Sequence, residues 1–477
     1  MQKHTPASFL KILNEDLGFT ATSKQDIALQ LLSDFVVTPS KDRLFLLKGY
    51  AGTGKTTIIS TLVKNLWKVK KSGVLLAPTG RAAKVISNYS KKEAFTIHKK
   101  IYFPKKSGSG VQFTLQPNKH KETIFIVDEA SMISDDRGNA KLFENGSLLD
   151  DLIQYVYSGR NCQLILIGDT AQLPPVKMEM SPALEQDTLE INYHKDVVSI
   201  ELDEVVRQSE TSDILHNATL IRESLQEEFY ESFQFELTPN ADVVRLQDGY
   251  EIMDAIQDSY GSLGHEETSI IVRSNKRANL YNEQIRNRIL FQEEEISAGD
   301  YLMVVKNNYF WVKPSSEAGF IANGDIVKIL EIFGFKELYG FRFAEVKVQM
   351  VDYPKMRPFE TVVMLDTLTS NTPSLSYEES NKLYEEVKKD YADERSKYKQ
   401  FMKVKNNPYF NSLQVKFSYA ITCHKSQGGQ WNTVFIEQPY LPNGVGKEYL
   451  RWLYTAITRA KEKLYLIGFP DDFFAKN

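Results

Sequence analysis

Leu44-Phe-Leu-Leu47 runs through Lys48 into Gly49-Tyr-Ala-Gly-Thr-Gly54-Lys55-Thr56. The apolar run reads as a strand buried on both faces, as in a parallel sheet. The segment 56–69 that follows reads as a helix. A G-x-x-x-x-G-K-[ST] pattern between a strand and a helix is the signature of a phosphate cradle. Glycines let the backbone curl so that amide N–H groups converge on phosphate oxygens, and the helix N-terminus adds partial positive charge. The loop residues Gly49, Ala51, Gly52, Thr53 and Gly54, with Lys55, Thr56 and Thr57, are the expected phosphate contacts. Lys55 is placed to reach the β- and γ-phosphates, and Thr56 to hold Mg²⁺.

Further along the chain, Ile124-Phe-Ile-Val127 leads into Asp128-Glu129. Carboxylates at the carboxyl end of a strand sit where open α/β sheets bind ligands. Asp128 is expected to hold Mg²⁺, through water, and Glu129 to polarise an attacking water. Similar short runs, Val74–Ala77 and Leu164–Ile167, alternate with helical stretches such as 81–88. A second series follows at Ser269–Val272, Thr433–Ile436 and Leu464–Ile467. Two α/β units with parallel sheets are therefore expected. Between them, residues 299–365 alternate in a way that suits a small β-barrel. Residues 376–406 are charged, with tyrosines at 377, 384, 391 and 398, and read as an amphipathic helix whose stripe packs on a neighbouring domain.

The 477 residues are 42% hydrophobic and 25% charged, enough for ordinary globular cores. No apolar run nears the ~20 residues of a membrane-spanning helix, and the N-terminal stretch does not read as a secretion signal. Cys162 and Cys423, the only cysteines, exclude a disulfide framework or a Cys-rich zinc site, so a reducing cytoplasm is the expected location. The formal charge of −4 hides a local asymmetry. From Lys64 to Lys106 there are twelve basic residues and one acid, Glu93. Such a stretch suits either a polyanion track or a solvated face.

Further motifs recur in order: Ala77-Pro-Thr-Gly-Arg-Ala-Ala-Lys84, Thr96-Ile-His98, Asp128-Glu-Ala-Ser-Met132, Gly168-Asp-Thr-Ala-Gln172-Leu-Pro-Pro-Val176, Ala420-Ile-Thr-Cys-His424-Lys-Ser-Gln-Gly428 and Tyr454-Thr-Ala-Ile-Thr-Arg459-Ala-Lys461. Their order and wording resemble the superfamily 1 DNA helicases of the RecD and phage Dda branch, from about Thr22 to Gly468. The resemblance implies an α/β fold of two RecA-like P-loop NTPase domains with ATP between them. It places the first at 1–200 with a β-hairpin insertion at 99–122, and the second at 201–325 and 412–477. An SH3-like β insertion with a charged helical segment occupies 326–411.

The resemblance also assigns roles. Gln25, in Thr22-Ser-Lys-Gln25, becomes the adenine reader, although the same residues suit an ordinary helix N-cap. Gln172 becomes the γ-phosphate sensor, and Arg207 and Arg459 the arginines that the second domain points at that phosphate. Single-stranded DNA is expected along Pro78, Thr79, Gly80, Arg81, Thr96 and His98 in the first domain and Thr422, His424 and Lys425 in the second. Ser107-Gly-Ser-Gly110 suits a hairpin turn. In this branch the hairpin splits the duplex, with Phe103 or Phe113 stacking on the junction pair. The implied activity is ATP- and Mg²⁺-dependent 5′→3′ unwinding by a monomer on single strands and junctions. A DNA-stimulated translocase or nucleotide-gated clamp is the alternative, and an RNA translocase would differ in contacts to the 2′-OH.

Overall fold

The structure, a computed structural model, describes residues 5–107, 110–134, 147–204, 212–238, 242–313 and 315–475, side chains excepted at 104–113. Arg207 and the side chain of Phe113 therefore lie outside the described residues. The first sheet is built from β1 (Arg43–Gly49), β2 (Ser72–Ala77) and β3 (Ala94–Thr96), then, after a hairpin of β4 (Tyr102–Ser107) and β5 (Gly110–Leu115), from β6 (Thr123–Val127), β7 (Gln163–Gly168) and β8 (Asp196–Leu202). Its order is β3-β2-β6-β7-β1-β8, and its pairings are parallel. All four expected strands of this unit form, and β1, β6 and β7 lie at its centre. Leu44 to Leu47 are fully buried, because helices cover both faces of a parallel sheet.

The second sheet takes β9 (Val243–Leu246) and β10 (Thr268–Val272) from one side of a barrel in sequence. The barrel consists of β11 (Tyr301–Val304), β12 (Ile326–Leu338), β13 (Phe341–Met350), β14 (Phe359–Met364) and β15 (Leu413–Phe417). The chain then re-enters the second sheet as β16 (Ala420–Thr422), β17 (Trp431–Glu437) and β18 (Ala460–Ile467), in the order β16-β10-β17-β18-β9. The barrel draws β11 and β15 from outside 326–411, because closure needs β15 to pair with both β11 and β14. The β15 strand runs almost directly into β16, so barrel and second sheet share one support.

The charged segment forms two helices, Tyr377–Lys389 and Lys397–Lys405, rather than one. Ser376 and Ser396 each cap one by accepting a backbone N–H, which restarts the helix after the break. Leu383, Val387 and Val404 pack on Phe341, Phe343, Val362 and Met364 of the barrel. Of the tyrosine stripe, Tyr384 and Tyr391 pack against the same cluster, while Tyr377 and Tyr398 are 81% and 62% exposed, so half of the stripe faces the barrel. Among the described residues no helix is long and apolar enough to cross a membrane.

Candidate active site and nucleic-acid interface

The β1 strand delivers the glycine loop to a cleft of about 1560 Å³. Gly52 and Gly54 have φ of 78° and 82°, a left-handed conformation that glycine adopts without Cβ strain. Gly54 is the N-cap of helix Lys55–Asn65 and offers no side chain to its first amides. Those N–H groups stay free for an external anion. Lys55 Nζ donates to Gly49 O at 2.6 Å and to Tyr50 O at 2.7 Å, which folds it over the loop. Buried Thr53 donates its hydroxyl to Tyr50 O at 2.8 Å. Ala51, Gly52, Thr56 and Thr57 line the cleft.

Gln25 lies under this loop rather than in the cleft. It is 1% exposed, its Nε2 donates to Thr53 O at 3.0 Å, and its Oε1 accepts from Thr22 N at 3.1 Å. The helix Ser23–Val37 begins with a capping box made by Thr22 and Gln25. The amide thus supports the loop.

Asp128 and Glu129 follow β6. Asp128 Oδ2 accepts from Tyr89 Oη at 2.6 Å, and its Oδ1 from Glu129 N at 2.9 Å. Burial, with Asp128 close by, raises the Tyr89 phenol above its ordinary range, so it remains a donor. Glu129 has φ 55°, an uncommon backbone for a non-glycine residue that re-aims its side chain into the cleft. Burial raises its carboxyl pKa, against the pull of Arg459. Arg459 is 3% exposed, and its NH1 lies 3.9 Å from Glu129 Oε1. Backbone and hydroxyl oxygens hold that guanidinium in place: Thr455 O at 3.0 Å, Thr458 Oγ1 at 3.2 Å and Gly429 O at 3.3 Å.

Gln172 lines the same cleft at 7% exposure, and its Oε1 has no hydrogen-bond partner among the described residues. Its neighbour Leu173 is gripped from the other half of the molecule. Leu173 N donates to Thr455 Oγ1 at 2.8 Å, and Leu173 O accepts from Gln427 Nε2 at 2.7 Å.

The two halves also meet along the expected strand-binding motifs. Thr79 caps helix Gly80–Ser90 by accepting from Ala82 N at 3.2 Å, just after Pro78. A Cβ on Gly80 would lie 2.8 Å from Asp325 Oδ1 and 2.9 Å from Tyr353 Oη, so a side chain there would collide with the barrel. Burial raises the Asp325 carboxyl to about 8. Arg81 stacks 4.5 Å over the Trp431 ring instead of projecting outward, and Lys84 meets Asp352 at 3.6 Å.

Thr96 is 4% exposed and caps the next helix by accepting from Lys99 N at 3.2 Å. His98 packs between Tyr102 and Phe320, and burial lowers its pKa to about 4. Phe103 is 60% exposed on the hairpin. In the second half Thr422 precedes the short helix Cys423–Ser426, His424 is exposed, and Lys425 donates to Asn323 Oδ1, with burial lowering its pKa to about 8.

Sequence reading missed Tyr89, Trp431 and Tyr454. Tyr89 carries no local signal, because its partner is 39 residues away in sequence. Tyr454 opens the motif that carries Arg459, and that position is its only clue.

Comparison with known proteins matches an AAA domain at residues 33–235 and a UvrD-like helicase C-terminal domain at residues 417–467. The chain is 27% identical to the ATP-dependent DNA helicase dda of Enterobacteria phage T4, covering 88% of this chain and 93% of that one. It is 24% identical to the RecBCD enzyme subunit RecD of Buchnera aphidicola subsp. Schizaphis graminum, covering 94% and 74%. The solved Pif1 helicase from Bacteroides in complex with ADP-AlF3 and ssDNA aligns at 15% identity and TM-score 0.45, covering 96% and 95%. With its glycine loop in the first matched region and Arg459 in the second, the chain is similar to the superfamily 1 helicases of the RecD and Dda branch.

Proposed function

We propose that this chain is an ATP-dependent DNA helicase that moves 5′→3′ on single-stranded DNA and separates the duplex ahead of it. One observation carries the reading. Lys55, Asp128 and Glu129 from the first sheet face Arg459 from the second across one cleft. A site shared between two bodies changes when its nucleotide does, and that change can step the protein along a strand.

In this reading Lys55 leaves its loop carbonyls for the β- and γ-phosphates, Glu129 orients the attacking water, and Gln172 and Arg459 meet the γ-phosphate. Arg207 is the proposed second arginine. The hydroxyl of Thr56 and the carboxylate of Asp128 line the same cleft. Hard oxygen donors of this kind suit Mg²⁺, held by Thr56 and through water by Asp128. Bound there, Mg²⁺ neutralises charge on the β- and γ-oxygens.

Residues 1–200 are the proposed first RecA-like domain, and 201–325 with 412–477 the second. The barrel is read as the SH3-like insertion and the β4–β5 hairpin as the strand-splitting element, with Phe103 or Phe113 at the junction. With Thr96 and His98 turned inward and the Gly80–Ser90 helix start capped by Thr79, exposed His424 is the proposed phosphate-facing group. Contacts of that kind carry no sequence code, so binding is largely sequence-independent and salt-sensitive. A monomer in a reducing cytoplasm completes the reading, consistent with two buried free thiols.

The test is ATP-driven unwinding of two partial duplexes, one with a 5′ tail and one with a 3′ tail. Opening only the 5′-tailed duplex is expected. Opening only the 3′-tailed one would overturn the polarity. Opening neither, with DNA-stimulated hydrolysis intact, would move the reading to a translocase or clamp.

A further inference from the structure

Tyr454 sits on helix Lys447–Ile457, on the second sheet's side, and is 1% exposed. Its hydroxyl makes two hydrogen bonds. It donates to Asp169 Oδ2 at 2.7 Å and accepts from the backbone N–H of Ala51 at 2.9 Å. Ala51 belongs to the phosphate loop, and Asp169 follows β7, three residues before Gln172. Asp169 is itself 2% exposed, and its Oδ1 accepts from Ala171 N at 3.0 Å. One residue beyond Tyr454, Thr455 accepts from Leu173 N at 2.8 Å. Five residues beyond it comes Arg459. Two adjacent side chains of one helix thus fasten the loop and the Gln172 segment to the element that presents the arginine.

We infer that the Tyr454 hydroxyl is a positioning residue for hydrolysis: it sets the phosphate loop, Asp169 and Arg459 in register across the cleft. The inference rests on the ATPase reading above. The ring alone would fill space. The paired bonds fix distance and direction, since a phenol that donates to a carboxylate while accepting an amide N–H has one orientation that satisfies both. Burial raises the phenol's pKa well above its ordinary value, so the proton stays on Tyr454 and the donor role is constant. Opening the cleft breaks both bonds, and closing it remakes them together. No part of this relation requires Tyr454 to touch nucleotide. It acts through Ala51, Asp169 and the helix end.

The experiment is steady-state ATP hydrolysis by the full chain with a saturating single-stranded oligonucleotide, comparing wild type, Tyr454→Phe and Lys55→Ala. Tyr454→Phe keeps the ring and removes both bonds. The expected result is a fall in kcat of about tenfold or more, with KM for ATP within about threefold. A kcat within about twofold of wild type would overturn the inference, as would a kcat and KM that worsen equally. Asp169→Asn, which keeps shape but weakens acceptance from the phenol, is measured beside it and predicts the same split. It decides the matter if Tyr454→Phe does not fold, and an unchanged kcat there overturns the inference. Lys55→Ala separates the two levels. If Lys55→Ala retains hydrolysis, the ATPase reading fails. If Lys55→Ala loses it and Tyr454→Phe does not, only the positioning role fails.

Discussion

The two parallel sheets differ most where a strand hands over to a helix. In the first sheet β1 ends in glycines, and helix Lys55–Asn65 starts at Gly54 with no side chain on its leading amides. In the second sheet β10 ends at Val272, and helix Asn275–Gln284 starts at Ser274, whose Oγ accepts from Arg277 N at 3.3 Å. One helix start is open to an anion, and the other is already satisfied by its own chain. Similar architecture therefore leaves one helix terminus uncapped on the cleft, while the second body brings Arg459 to the same cleft. The division of labour lies in the caps rather than in the sheets.

The hardest blow to that contrast is Lys55→Ala. Hydrolysis is expected to vanish while strand binding stays largely intact, and full ATPase activity would refute the cradle assignment. Next is the hairpin, which belongs to the first half alone. Replacing residues 105–113 with a short Gly-Ser turn should spare DNA-stimulated hydrolysis and cripple unwinding. Equal loss of both would make the segment structural.

A smaller effect comes from pH. Burial lowers His98 to about 4 in the first half and His265 to about 3 in the second. Their unfolded values are near 6.5. Depressed histidines leave the unfolded chain binding more protons, so their stability contribution is full above about 6.5 and is lost as pH falls toward 4. Urea unfolding at stepped pH should show this. His98→Gln should reduce the slope by up to about one proton, and an unchanged slope would contradict a neutral, half-buried ring. The smallest effect is Ser274→Ala, expected to cost about 0.5–2 kcal/mol in urea unfolding with kcat unchanged. A large kcat loss would mean that the second helix start also serves the nucleotide.

Much of this was legible in the residues. The phosphate loop announces itself because its geometry demands glycine at set positions, and β6 because four apolar residues must end somewhere polar. The strand-binding side chains were read less well. Thr96 and His98 stand in a motif, yet caps and aromatic packing use their polar and ring surfaces. Gln25 likewise goes into a capping box beneath Thr53. Such uses depend on tertiary neighbours, and local spacing is silent about them. The same holds for Tyr454, 403 residues from the amide it accepts, and for β15, which closes a barrel begun at Tyr301.

In this reading the hydrolytic site is assembled from both halves. The decisive variant is Arg459→Ala, with DNA-stimulated hydrolysis and equilibrium nucleotide binding measured on the same protein. Hydrolysis should fall by about 10³-fold or more, the scale of an arginine finger, while nucleotide binding changes by only a few-fold. Hydrolysis within a few-fold of wild type would mean that the first sheet works alone, and would contradict this reading.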